Sequence, residues 1–268
     1  MKRQFRGAAF AAAPFLIGSA AHAQWSSAYT APRNAVVDAA GAKGIEVEAA
    51  AGSLRVEGKP GLRQVKVTGT ARASSQQLLN DISLIAERRG DRVFIKADIP
   101  EYSGRSGNWS AGLDLVIEVP QGIDAEIGDG SGDATIMNVG SLDMSDGSGE
   151  LTVSGASGSV NITDGSGSLT IENVGGDVTV NDGSGEIEVR NVTGSFTVES
   201  DGSGGISATD VRGSVIVRND GSGGIDVNKV GKDFRVDSKG SGDIEYANVN
   251  GQVDIPQRHR DRNSRLER

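Results

Sequence analysis

Residues 182–200 read Asp-Gly-Ser-Gly-Glu-Ile-Glu-Val-Arg-Asn-Val-Thr-Gly-Ser-Phe-Thr-Val-Glu-Ser, and at Asp201 the phrase begins again. Its Asp-Gly-Ser-Gly opening stands at Asp129, Asp146, Asp164, Asp182, Asp201 and Asp220, and Lys239-Gly240-Ser241-Gly242 is a seventh copy in phase. The spacings are 17, 18, 18, 19, 19 and 19 residues. A fixed period near twenty is the mark of a stacked repeat, in which each unit leaves an apolar face open until a neighbour covers it.

Inside the phrase, Ile187 and Val189 alternate with polar residues, and so do Phe196 and Val198. Alternation of period two over so short a run reads as strand with one buried face. Between the runs lies a second corner with its own apolar residue, Val192, and a following Gly194; Val174, Val211 and Val230 repeat it in other copies. Each unit is therefore strand, corner, strand, corner. Antiparallel hairpins turning at Asp-Gly are the alternative, but identical residues at identical corners fit parallel stacking, which lays like groups in ladders. The expectation is an all-β, parallel β-solenoid of about seven coils of 17–19 residues, right-handed by the usual crossover preference.

Upstream the pattern loosens. Gly44 to Val47 and Ser53 to Val56 look like a degenerate coil, Gln64 to Val67 like another strand, and Ser74 to Asp81 like a short helix. Ile82 to Glu87 and Val93 to Ile99, joined through Arg89-Gly90-Asp91, read as a hairpin, and Leu113 to Ile127 leads into the array. The expected organisation is a leader over 1–23, a flexible linker over 24–40, degenerate coils and cap over 41–128, the solenoid over 129–256, and a disordered Arg-rich tail over 257–268. The cap protects one sheet edge from edge-to-edge pairing, while the far edge is less covered and offers end-to-end self-association.

Lys2, Arg3 and Arg6, an apolar stretch from Ala8 to Ile17, and Ala21-His22-Ala23 before Gln24 compose an export signal with a cleavage site. The apolar stretch is about half the ~20 residues of a spanning helix, so cleavage is expected to leave no membrane anchor. The chain has no cysteine, which excludes a disulfide scaffold and a lipid-modified cysteine. Its formal charge is -9. Without the three leader cations it is -12, and with a tail of net +3 the body from 24 to 256 carries -15. That balance argues against nucleic acid as a partner.

The stretch GIEVEAAAGSLRVEG from Gly44, the VPQGI before the array, and the recurrent DGSG followed by alternating strands resemble the bacterial putative-adhesin domain, also called the toast-rack domain. The resemblance covers roughly residues 41–256. It implies a β-solenoid in envelope proteins, often membrane-anchored and associated with envelope-stress regulation, and assigns no catalytic or ligand residue. With the leader cleaved, this chain is expected to depart from the family by lacking an anchor.

Candidate chemistry is sparse. The only histidines are His22, in the leader, and His259, in the tail, so histidine-dependent hydrolysis and zinc sites find no residues in the body. Carboxylate pairs remain, but no long insertion interrupts the repeats to build a cleft. A non-enzymatic chain is expected. The Asp129, Asp146, Asp164, Asp182, Asp201 and Asp220 ladder has two readings: each Asp accepts main-chain N–H groups to fix its turn, or the stacked carboxylates hold calcium. Lys239 ends the ladder in either case. Tyr102, Arg105 and Trp109, in the one aromatic loop outside the repeats, are candidate contact residues. The functional expectation is an exported binding or adhesin-like module of the periplasm or cell surface, engaging an envelope protein or polysaccharide. A periplasmic structural or stress-associated scaffold and a calcium-stabilised repeat protein are the alternatives.

Overall fold

A computed structural model describes residues 29–100 and 109–256. The leader, Tyr102, Arg105 and the Arg-rich tail lie outside the described residues. Before the repeats come β1 (Tyr29–Asp38), β2 (Gly44–Glu48), β3 (Leu54–Lys59), β4 (Gln64–Ala73), α1 (Gln76–Asp81), β5 (Ser83–Arg89), β6 (Arg92–Asp98), β7 (Ala111–Pro120) and β8 (Asp124–Asp129). The repeats give pairs of strands: β9 (Ala134–Met137) and β10 (Leu142–Asp146), β11 (Leu151–Ser154) and β12 (Val160–Asp164), β13 (Leu169–Val174) and β14 (Val178–Asp182). They continue with β15 (Ile187–Val192) and β16 (Phe196–Asp201), β17 (Ile206–Val211) and β18 (Val215–Ser222), β19 (Ile225–Val230) and β20 (Phe234–Ser241), β21 (Ile244–Val249) and β22 (Val253–Asp254).

These strands form two 11-stranded sheets. One sheet takes the first strand of every coil and the other the second, and neighbouring repeat strands pair in parallel with like residues opposite: Leu151 with Leu169, Val160 with Val178, Ile187 with Ile206. The molecule is a parallel β-solenoid. Its core is one continuous cluster running the length of the stack, in which Phe196, Val198, Val215, Val217 and Phe234 are fully buried. Each coil contributes about five apolar side chains, and each is covered only because the next coil closes over it.

The coil order departs from the chain order. β2 and β3 abut the first repeat, pairing with β8 and β9, and the later segments β6 and β7 stack outside them. Beyond β7 the parallel rule ends: β4 and then β1 add antiparallel to one sheet, and β5 adds antiparallel to β6 on the other. Helix α1, capped by the Ser75 hydroxyl accepting from the Leu78 N–H, follows β4.

The linker expected over 24–40 is corrected over its described part. Residues 29–38 form β1, paired with β4 along ten residues. Arg33 ties it down, donating from Nε to the Ile82 carbonyl and from Nη2 to the Leu79 carbonyl, both at 2.8 Å. The strand escapes a pattern search because it is an edge strand with Pro32 inside it, and its exposed face needs no apolar alternation.

Candidate functional site: a buried aspartate ladder

The Asp-Gly-Ser-Gly corner is tight because its second and fourth residues must be glycine. The fourth takes a positive φ in all seven copies, between +100° and +149°. A Cβ on Gly185 would fall on the Gly167 carbonyl oxygen, and one on Gly204 on the Gly185 carbonyl oxygen. Only glycine permits both the backbone conformation and the approach of coil to coil.

That corner turns its aspartates inward. In β10 the buried positions are Leu142, Met144 and Asp146, so the carboxylate continues the parity of the core. Asp129, Asp146, Asp164, Asp182, Asp201 and Asp220 are all buried, with Asp201 at 0% exposure. Each stands opposite the next in the sheet register, and Asp220 stands opposite Lys239. At its other end the column meets β2, whose Glu48 pairs with Gly128, the residue before Asp129.

The turn-fixing role assigned to these residues is met in part. Asp164 and Asp182 accept the Ser166 and Ser184 N–H at 3.2 Å, and Asp129 accepts the Gly130 N–H at 2.8 Å. Eight buried carboxyl oxygens along the ladder have no hydrogen-bond partner, among them both oxygens of Asp146 and of Asp201. Burial pushes the Asp129, Asp182 and Asp201 carboxyls up to about 6, and the nearest carboxylates in the column push the same way. Burial also raises Asp146, reinforced by the Asp164 charge, and raises Asp164. A buried carboxylate without a partner is expensive, so the column calls for positive charge or protons.

At the last interface the charge is supplied by the chain. Lys239, fully buried in its side chain, donates from Nζ to Asp220 Oδ2 at 2.5 Å, the Gly223 carbonyl at 2.6 Å and the Ser241 carbonyl at 2.9 Å. All three donors of the ammonium are satisfied. Carboxylate and carbonyl oxygens also suit a hard cation. Among the described residues no three His, Cys, Asp or Glu side chains gather around one point, so side chains alone build no metal cage.

The second corner carries a feature that sequence reasoning missed. Asn138, Asn173, Asn191, Asp210, Lys229 and Asn248 all adopt φ between 54° and 60°, and Gly155 takes the same place in the second copy. The signal was present, since each precedes the corner valine or alanine, and Asn and Asp tolerate the left-handed region best among non-glycine residues. Their side chains stack along the outside: Asn191 Nδ2 donates to Asn173 Oδ1 at 2.7 Å, and Lys229 pairs with Asp210 at 3.5 Å. A groove along this corner is lined by Asn191, Asp210, Arg212, Lys229, Asn248 and Asn250. Trp109, of the expected aromatic loop, is 37% exposed.

No family model matches the chain, and no curated protein matches it. Among solved structures it is similar to a putative adhesin from Bacteroides fragilis, with 14% identity and a TM-score of 0.48 over 85% of this chain and 98% of that one. It is similar also to a putative cell adhesion protein from Clostridium sporogenes, with 14% identity and a TM-score of 0.38 over 84% and 100%. A putative lipid binding protein from Parabacteroides distasonis follows at 11% identity and a TM-score of 0.35, over 84% and 97%. At such values the architecture rests on the strand register of this chain itself.

Proposed function

We propose that this protein is a non-enzymatic binding module of the bacterial cell envelope, a rod that presents ladders of polar side chains to a repetitive partner such as an envelope polysaccharide or a surface protein. The observation that carries the reading is the stacked outer corner, where amide and charged groups recur in six of the seven coils and line an open groove. Planar amides offer both donors and acceptors, and repetition at the strand spacing of about 4.8 Å suits a ligand that also repeats. The export signal in the sequence supports an envelope location, and no helix of the described residues is long and apolar enough to cross a membrane.

The test is co-sedimentation of the purified protein with isolated cell envelopes and with their extracted polysaccharide. Retention that falls several-fold in the double variant Asn191→Ala, Asn248→Ala, with the fold intact by circular dichroism, supports the corner as the contact. Equal retention of both proteins, or none of either, refutes it.

A second reading, a self-stacking scaffold, draws on the far end of the rod. There β22 is two residues long, and Tyr246, Val249 and Val253 are only partly covered. Concentration-dependent growth in light scattering would favour it.

A further inference from the structure

The Lys239 ammonium marks a position that the repeat builds at every coil interface. Its three acceptors are repeat-equivalent atoms: the carboxylate of the first residue and the carbonyl of the fourth residue in one copy, and the carbonyl of the third residue in the next. One interface earlier the same atoms belong to Asp201, Gly204 and Ser222, and the register that aligns Asp220 with Lys239 also aligns Asp201 with Asp220. The Gly204 N–H donates to the Ser222 carbonyl at 2.9 Å, as the Gly223 N–H does to the Ser241 carbonyl at 3.2 Å, so the corner is the same in both. What differs is the side chain that enters it. Lysine reaches the acceptors with its own charge, whereas Asp220 brings a second negative group, and both oxygens of Asp201 and the Oδ1 of Asp220 are left without a partner.

We propose that the interior of the Asp-Gly-Ser-Gly corner is a row of cation sites, one per interface from Asp129 to Asp220, each built from a buried carboxylate and main-chain carbonyls, with Lys239 as the tethered cation that closes the row. Two independent observations stand behind it beyond the acidic column itself: buried, unpartnered carboxyl oxygens aimed into the corner, and an ammonium held by the equivalent atoms. The charge count fits a monovalent ion, since each interface adds one carboxylate, as Asp220 does for one ammonium. A divalent ion would neutralise two interfaces at once and is the form that calcium binding would take. Protons compete for the same oxygens, because a protonated carboxyl donates to its neighbour one coil away. The buried charged groups of the described residues are the six aspartates and Lys239; on the ladder's own strands β16 and β18, Glu199 and Arg218 pair with each other at the surface.

The experiment is thermal unfolding at pH 8 after refolding from denaturant in tetramethylammonium chloride, with sodium, potassium or calcium chloride replacing the organic salt at constant ionic strength. Ligands that bind only the folded state raise the midpoint. The midpoint should rise by about 5 °C or more with a small cation, and the rise should shrink by at least half at pH 5 where protons fill the column. A larger response in Lys239→Asp, which extends the ladder by one carboxylate, and a smaller one in Asp182→Asn would place the effect in the corner. A response to calcium alone would support the row with a divalent occupant. Equal midpoints in all four salts for the wild type and for Lys239→Asp overturn the proposal and leave protons, beside Lys239, as the column's counter-charge. A cation response unchanged in Asp182→Asn and in Lys239→Asp overturns it too, by placing the ion elsewhere.

Discussion

Acid should stabilise this protein between neutral pH and about pH 4, and the effect should disappear with the ladder. The perturbation is pH itself in tetramethylammonium buffer, which offers no small cation. Asp201 has a folded-state pKa of about 6 against an ordinary value of 3.8. A raised carboxyl pKa means that the folded state binds the proton more tightly, so its contribution is full below 3.8 and is lost as pH rises through about 6. A shift of roughly two units corresponds to about 3 kcal/mol for that one group. Asp129 and Asp182 are raised to similar values, but the three do not sum, because protonating one carboxyl relieves its neighbours. Taking about 3 kcal/mol as the net effect, the melting midpoint should fall by about 6 to 12 °C between pH 4 and pH 7.5, at roughly 2 to 4 °C per kcal/mol for a chain of this size. Calorimetry across that range reads it directly. The variant Asp201→Asn keeps the shape without the charge, so it should match the wild type at pH 4.5 and exceed it at pH 7.5. A wild-type midpoint that is flat, or that rises from pH 4 to 7.5, refutes the assignment of these carboxyls as buried and unpaired.

Three further outcomes follow from the same geometry. Gly204→Ala, whose Cβ would fall on the Gly185 carbonyl oxygen at a φ of +149°, should cost about 3 kcal/mol or more in urea unfolding. Its neighbour Gly205 has nothing within 4 Å of a built Cβ, and Gly205→Ala should stay within about 0.5 kcal/mol. Lys239→Met removes one partner of a fully buried ion pair and should cost about 3 to 5 kcal/mol at pH 8 by the same assay. Replacing Asn191, at a φ of 54°, by glycine should be nearly neutral, whereas alanine there should lose about 1 kcal/mol.

The solenoid was legible in the sequence because a repeat announces itself twice, in the glycine corners and in the alternating strands between them. The inward direction of the aspartates was legible in principle. Leu142, Met144 and Asp146 keep one parity, as do Val160, Ile162 and Asp164 and then Val178, Val180 and Asp182. In the 19-residue copies an extra residue breaks that parity: Phe196 and Val198 are followed by Asp201, and the register shifts after Val180. A residue that repeats its parity in some copies and loses it in others is easily read as a surface turn. The insertion of β2 and β3 between the first repeat and β6–β7 had no local signal, since pairing partners 48 to 80 residues apart are chosen by which edges remain open. The edge strand β1 was hidden for a different reason, because one face of it answers to solvent and its anchor, Arg33, binds carbonyls at Leu79 and Ile82, more than 40 residues away in sequence.

The reading of this chain as an exported envelope module is tested most directly by fractionating cells that express it with its own leader and a C-terminal tag, followed by protease treatment of intact and of permeabilised cells. Export gives a mature N-terminus at Gln24 and a tag that protease reaches without lysis of the inner membrane: in intact cells if the rod is displayed, or after outer-membrane permeabilisation if it works in the periplasm. A full-length chain retained in the cytoplasm with Met1 intact would contradict it.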